Sequence, residues 1–101
     1  MSGNKLILFS RVGCCLCKGL EEHLGSLPLT KLNPPLKLYV KDIDGLDVSS
    51  VENSRYSLEV PVLLLELEHP LRRLELPRVS PRLSEEELFK WLQKRLQKTL
   101  E

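Results

Sequence analysis

Three cysteines fall within four positions, Cys14-Cys15-Leu16-Cys17, and the outer two have C-x-x-C spacing. Two intervening residues span most of one helical turn, so sulfurs at that spacing can reach bonding distance if the segment opens a helix. The surrounding residues supply this setting. The apolar run Lys5-Leu6-Ile7-Leu8-Phe9 comes before the cysteines, and Leu16, Leu20 and Leu24 recur every four positions from within them. The first N–H groups of a helix have no intrahelical partner, and the macrodipole adds partial positive charge there, so a thiolate at that mouth is favoured over a thiol. The chemistry this indicates is thiol–disulfide exchange, with Cys14 and Cys17 as the reacting pair.

The elements that must position the pair can be read in order. Lys5 to Ser10 is expected to be a short buried strand, apolar almost throughout and stopped by Val12-Gly13. A helix follows from Cys15 to about Ser26 and ends at Pro28. After the loop Asn33-Pro34-Pro35, the residues Leu36, Leu38 and Val40 alternate with Lys37, Tyr39 and Lys41, which predicts a strand with one buried face ended by Asp42-Ile43-Asp44-Gly45. Val48 to Tyr56 is expected to form a short helix capped by Ser49 or Ser50. Val62–Leu67 and Leu71–Leu76 read as a hairpin joined by Glu68-His69-Pro70, the first strand central and the second an edge. Ser84 and Glu87 make an S-x-x-E capping box for a last helix, whose apolar stripe is Leu88, Trp91, Leu92 and Leu96. The expected fold is α/β, in the order β-α-β-α-β-β-α. A four-stranded mixed sheet carries helices on both faces, with the first two strands parallel through a crossover helix.

With 101 residues the chain suits a single domain spanning 1–101. Fifteen basic and fourteen acidic residues are interspersed and leave a formal net charge of +1. No one-signed basic stripe exists to bind nucleic acid or a membrane surface, so neither is expected as a partner. Met1-Ser2-Gly3-Asn4 leads straight into the first strand, so no secretory leader is expected, and no apolar run has membrane-spanning length. An odd, tightly clustered set of cysteines suits a reducing compartment, so a cytoplasmic monomer is expected.

Taken together, Leu8-Phe9-Ser10-Arg11-Val12-Gly13-Cys14-Cys15-Leu16-Cys17, Lys41-Asp42-Ile43-Asp44 and Tyr56-Ser57-Leu58-Glu59-Val60-Pro61-Val62-Leu63 resemble the glutaredoxin branch of the thioredoxin-fold superfamily. The likeness is to small glutaredoxin-like proteins with a doubled Cys followed by x-Cys. The resemblance implies the thioredoxin fold, with Cys14 as attacking thiol, Cys17 as resolving thiol and Pro61 as a cis-proline facing them. A cis Val60–Pro61 bond would let Val60 offer its N–H and C=O to an extended substrate by strand addition. A disulfide-containing protein or a small thiol would be the substrate, with a reductase or thiol donor returning the electrons.

Activating Cys14 needs more than the helix. Lowering a free thiol's pKa of about 8.5 by two units takes about 2.7 kcal/mol, whereas the dipole typically gives about 0.3–1 and at most about 2. Direct N–H hydrogen bonds to sulfur, Arg11 and Lys18 are the candidates for the rest. Arg11, Val60 and Pro61 are the expected substrate-binding residues, and Cys15 and Lys18 accessory ones. Two departures from the family pattern bear on mechanism. Cys15-Leu16 replaces the usual Pro-Tyr between the cysteines. Pro77-Arg78-Val79-Ser80-Pro81 stands where glutaredoxins carry a Gly-Gly turn and an acidic residue that hold glutathione. The second departure argues against glutathione as direct reductant, and no cofactor is expected.

Other readings compete for the same residues. A zinc half-site at Cys14 and Cys17 would need two more ligands, and only Cys15, His23 and His69 remain. An iron–sulfur cluster shared by two chains could use Cys14, but a dithiol pair does not need one. A non-catalytic binding or adaptor domain could also keep the fold and cysteines. Cys15 is read as a partly buried apolar residue of the first helical turn. His23 is read as a solvent-facing side chain, Trp91 as core packing, and the Glu85-Glu86-Glu87 run as a helix start favoured by the dipole.

Overall fold

The structure, a computed structural model, describes residues 4–46, 48–68, 71–80 and 82–100. Its elements are β1 (Lys5–Ser10), α1 (Cys15–Ser26), a 3₁₀ turn (Leu29–Lys31), β2 (Lys37–Asp42), α2 (Ser50–Tyr56), β3 (Val62–Glu68), β4 (Leu71–Glu75) and α3 (Glu85–Leu100). The strands form one mixed sheet in the order β2-β1-β3-β4, a thioredoxin-like fold. The pair β1 and β2 is parallel, with Leu6 opposite Leu38, while β3 runs antiparallel to both β1 and β4.

The two central strands explain why their sequences do not alternate. Leu6 and Leu8 of β1, with Leu63, Leu65 and Leu67 of β3, pack against Leu24 of α1 and Leu88, Leu92 and Leu96 of α3. On the other sheet face Ile7, Phe9, Val62 and Leu64 meet Ile43 and Tyr56, and the Phe9 and Tyr56 rings stack at 5.2 Å. A strand covered on both faces reads as a near-continuous apolar run, interrupted in β3 at Glu66, which pairs with Lys5 and Arg73. Each fully buried Leu, Ile or Phe side chain contributes about 1.5–3 kcal/mol relative to leaving it in water.

The edges behave differently. Every residue of β4 is exposed, and Leu76, expected within this strand, follows it, buried, with its N–H donating to Leu63 C=O at 2.8 Å. In β2 the expected buried face is only partly realised. Leu36 is buried and Leu38 packs partly against the core, but Val40 is 42% exposed and lies outside both clusters, because an edge strand has a packed neighbour on one side only.

Helix starts follow local chemistry. Ser49, rather than Ser50, caps α2, which begins at Ser50 and not at Val48. Its hydroxyl accepts from Glu52 N–H while Glu52 accepts from Ser49 N–H. Burial alone would raise the Glu52 carboxyl, but hydrogen bonds from Ser49 and Arg73 hold it below its ordinary range. The box expected at α3 forms between Ser84 and Glu87. Trp91 packs partly against the core, with the Arg95 guanidinium 5.7 Å from its ring. Within the expected hairpin turn, His69 and Pro70 lie outside the described residues. Among the described residues no helix is long and apolar enough to cross a membrane.

Candidate functional site

Where β1 ends the chain turns sharply, and Gly13 takes φ +87°, a left-handed conformation that a residue without Cβ adopts without a clash. The turn closes when Cys14 N–H donates to Arg11 C=O at 3.1 Å. Cys14 is then extended, with φ −86° and ψ 107°, which makes it the N-cap of α1. Its C=O accepts from Lys18 N–H at 3.1 Å as the helix begins, and its Sγ accepts from Cys17 N–H at 3.2 Å. Sulfur occupies the place that a Ser or Asp oxygen normally fills at a helix start, so an orphan N–H of the first turn points at it.

Cys14 and Cys17 form a disulfide with Cα atoms 5.2 Å apart. The two sulfurs differ in environment. Cys17 is 1% exposed and belongs to the core, whereas Cys14 is half-buried at the surface. Cys15 is unpaired and exposed, unlike the partly buried residue expected, because its place on the first turn of α1 faces away from the sheet. Together with Arg11, Lys18 and Asp42, the three cysteines line a cleft of about 420 Å³. Val12, also on this cleft, is 87% exposed.

Arg11 was a candidate for activating the Cys14 sulfur and binding substrate; its guanidinium is directed to two other groups. Nε and Nη2 donate to the two oxygens of Asp44, at 2.9 and 3.1 Å, and Nη1 donates to Ser57 C=O at 3.0 Å. The hydrogen bond to Asp44 holds Arg11 above its ordinary pKa and Asp44 below the usual carboxylate range. In the sequence Asp44 stands out as part of a strand terminator and of the segment Lys41–Asp44 that carries the family likeness, with nothing to pair it with Arg11. A partner 33 positions away leaves no local sequence signal.

The Val60–Pro61 peptide is cis. Val60 precedes the sheet ladder, whose pairing with β1 begins at Val62. Pro61 does not share the cysteine cleft. It lines a second one of about 400 Å³ with Leu20, Leu58, Glu59, Leu76 and Arg78, and α1 borders both, through Leu20 in this cleft and Glu21 in the other. Arg78 Nη2 donates to Glu59 C=O at 2.8 Å across this second cleft. Leu58, 95% exposed on its rim, was not singled out by the sequence. His23, expected to face solvent, is half-buried where α1 meets the approach to α3. Among the described residues no three His, Cys, Asp or Glu side chains converge as a metal-holding group.

A thioredoxin-like sheet with a C-x-x-C pair at its first strand–helix junction and a cis-proline before β3 defines a class of redox-type domains. The profile of the glutaredoxin-like domain (DUF836) matches residues 5–93, and the chain belongs to that family. It is also similar to the X-ray structure of Northeast Structural Genomics target protein XcR50 from X. campestris. The two are 26% identical with a TM-score of 0.50, over 88% of this chain and 96% of that one. No curated protein matches the chain.

Proposed function

We propose that the protein is a thiol–disulfide oxidoreductase that works through Cys14 and Cys17. The observation that carries this reading is the asymmetry of the pair: a surface sulfur receiving a helix N-terminal N–H, joined to a buried one. In the reduced protein, the Cys14 thiolate attacks a substrate disulfide R–S–S–R′. A Cys14–S–S–R bond forms and R′–S⁻ leaves. The Cys17 thiolate then attacks the Cys14 sulfur, forming the internal disulfide and releasing R–S⁻. Two electrons have passed from the dithiol to the substrate, and an external thiol donor or a reductase must return them.

Each residue's part follows from its surroundings. The N–H of Cys17 and the positive end of α1 stabilise negative charge on Cys14 both as attacking thiolate and as leaving group. Burial keeps Cys17 from external disulfides until Cys14 has made one, and its place a turn away lets it reach that sulfur. Lys18, exposed on the same cleft, adds positive charge near the arriving substrate. Val60, outside the ladder, offers main-chain groups to an extended substrate, and Pro61 contributes no competing N–H. We infer a protein disulfide as substrate and disfavour glutathione as direct reductant, because Pro77, Arg78 and Val79 border the cleft beside Pro61 in place of a glycine turn. An exposed unpaired Cys15 suits a reducing compartment, and we propose the cytoplasm.

The test is capture. A Cys15,Cys17→Ser protein mixed with cell extract should accumulate mixed disulfides that a reductant releases, and the variant with Cys14 also changed to serine, which has no thiol, should accumulate none. Absence of any Cys14-linked adduct, together with no reduction of insulin by the wild-type dithiol, would leave the adaptor reading in its place.

A further inference from the structure

We infer that Arg11 is a positioning residue: its side chain fastens the Cys14 turn to the segment Ser57–Pro61, so that the attacking sulfur and the substrate-carrying backbone keep a fixed spacing. The inference deepens the exchange reading and rests on it.

Arg11 acts through both main chain and side chain. Its C=O closes the turn by accepting from Cys14 N–H, so the residue is itself one corner of the loop that presents the sulfur. Its guanidinium spans to two other loops, that after β2 through Asp44 and that after α2 through Ser57 C=O. Ser57 is the C-cap of α2, and a carbonyl at a helix end lacks an intrahelical donor and favours a cation.

The receiving side is itself braced. Asp44 N–H donates to Asp42 Oδ1 at 3.0 Å, Ile43 N–H to Ser10 C=O at 2.8 Å, and Asn53 Nδ2 to Ile43 C=O at 2.9 Å. Because Ile43 is fully buried, Asp44 is held on a fixed support rather than on a loose loop. Two residues beyond Ser57, Glu59 C=O takes its donor from Arg78 on the other side. Alternate carbonyls leading into Val60–Pro61 are thus each held by a guanidinium, and only that of Arg11 also reaches the cysteine turn.

The geometry requires arginine. A planar fork can give two parallel hydrogen bonds to a carboxylate and a third to a carbonyl, which the single ammonium of lysine cannot reproduce. With its charge set against Asp44, Arg11 acts on distance and orientation rather than as a cation for sulfur.

The experiment isolates one step. In a Cys15,Cys17→Ser background, which leaves Cys14 as the one thiol, mixed-disulfide formation at Cys14 is followed with two reagents that release the same thionitrobenzoate: the symmetric aryl disulfide, which needs only the sulfur, and a cysteine peptide carrying thionitrobenzoate, which also needs the Val60 backbone. Arg11→Gln, Arg11→Lys and Asp44→Asn should each slow the peptide reaction about fivefold, the scale of an exposed charged contact. The rate and pH profile with the aryl disulfide should stay as in the parent, and Arg11→Gln with Asp44→Asn should lose no more than Arg11→Gln alone. An unchanged peptide rate, full recovery by lysine, or an equal loss with both reagents accompanied by a shifted pH profile would overturn the inference. These single-step rates can be read whether or not the wild-type protein turns over, so failure to reduce a protein disulfide sinks the exchange reading without obscuring this result.

Discussion

Replacing Cys14 by serine or by alanine separates its role in folding from its role in chemistry. In the disulfide form the Cys14 sulfur caps α1 by accepting Cys17 N–H at 3.2 Å, and the same N–H is there to cap the free sulfur once the bond is reduced. A capping side chain is worth about 1 kcal/mol over alanine, with a range of about 0.5–2, and serine is among the best. For a domain of this length 1 kcal/mol moves Tm by about 4–8 °C. Under reducing conditions near pH 5, Cys14→Ser should therefore melt at or above the wild type, and Cys14→Ala about 4–8 °C below it, while both lose disulfide exchange. The pH dependence supplies a second reading. A thiol whose folded-state pKa is depressed adds stability that is present above its unfolded value of about 8.5 and is lost as pH falls through the folded value. The wild type should therefore gain on Cys14→Ser by about 0.3–1 kcal/mol between about pH 5 and about pH 9, the scale of a charge at a helix N-terminus. Thermal melts by circular dichroism across that range measure both quantities. Serine and alanine variants melting together, or a wild-type-minus-serine gap that stays flat with pH, would refute the capping and thiolate argument.

The other expectations concern the scaffold and the Arg11 tie. Leu24→Ala removes a fully buried side chain from the α1–sheet contact and should cost about 2–5 kcal/mol in chemical denaturation; a loss under about 1 would mean that α1 is not anchored there. Because its hydrogen bond with Arg11 holds Asp44 below the usual carboxylate range, the pair's stabilisation is present above that range and disappears as pH falls through the lowered value. Asp44→Asn should accordingly lie slightly below the wild type near neutrality, and the two stability curves should converge in acid; a constant gap would show that the ion pair is not the cause.

Sequence alone determined the features set by neighbouring residues. The near-continuous apolar runs of β1 and β3 announced strands buried on both faces. The Ser84-x-x-Glu87 box located α3, a serine cap at Ser49 or Ser50 marked the start of α2, and the cysteine pair lay at a strand–helix junction whose backbone chemistry follows from the adjacent residues. Periodicity and capping are short-range effects, so they survive in the linear text. Tertiary structure alone decided what each side chain faces. Val40 continued a regular alternation yet stands exposed at the edge of the sheet, and Cys15 turned outward although it adjoins Cys14. Arg11 found Asp44 and Ser57, and Arg78 found Glu59, across 33, 46 and 19 positions. Burial and long-range pairing depend on which distant segments the fold brings together, and no local pattern in the chain records that choice.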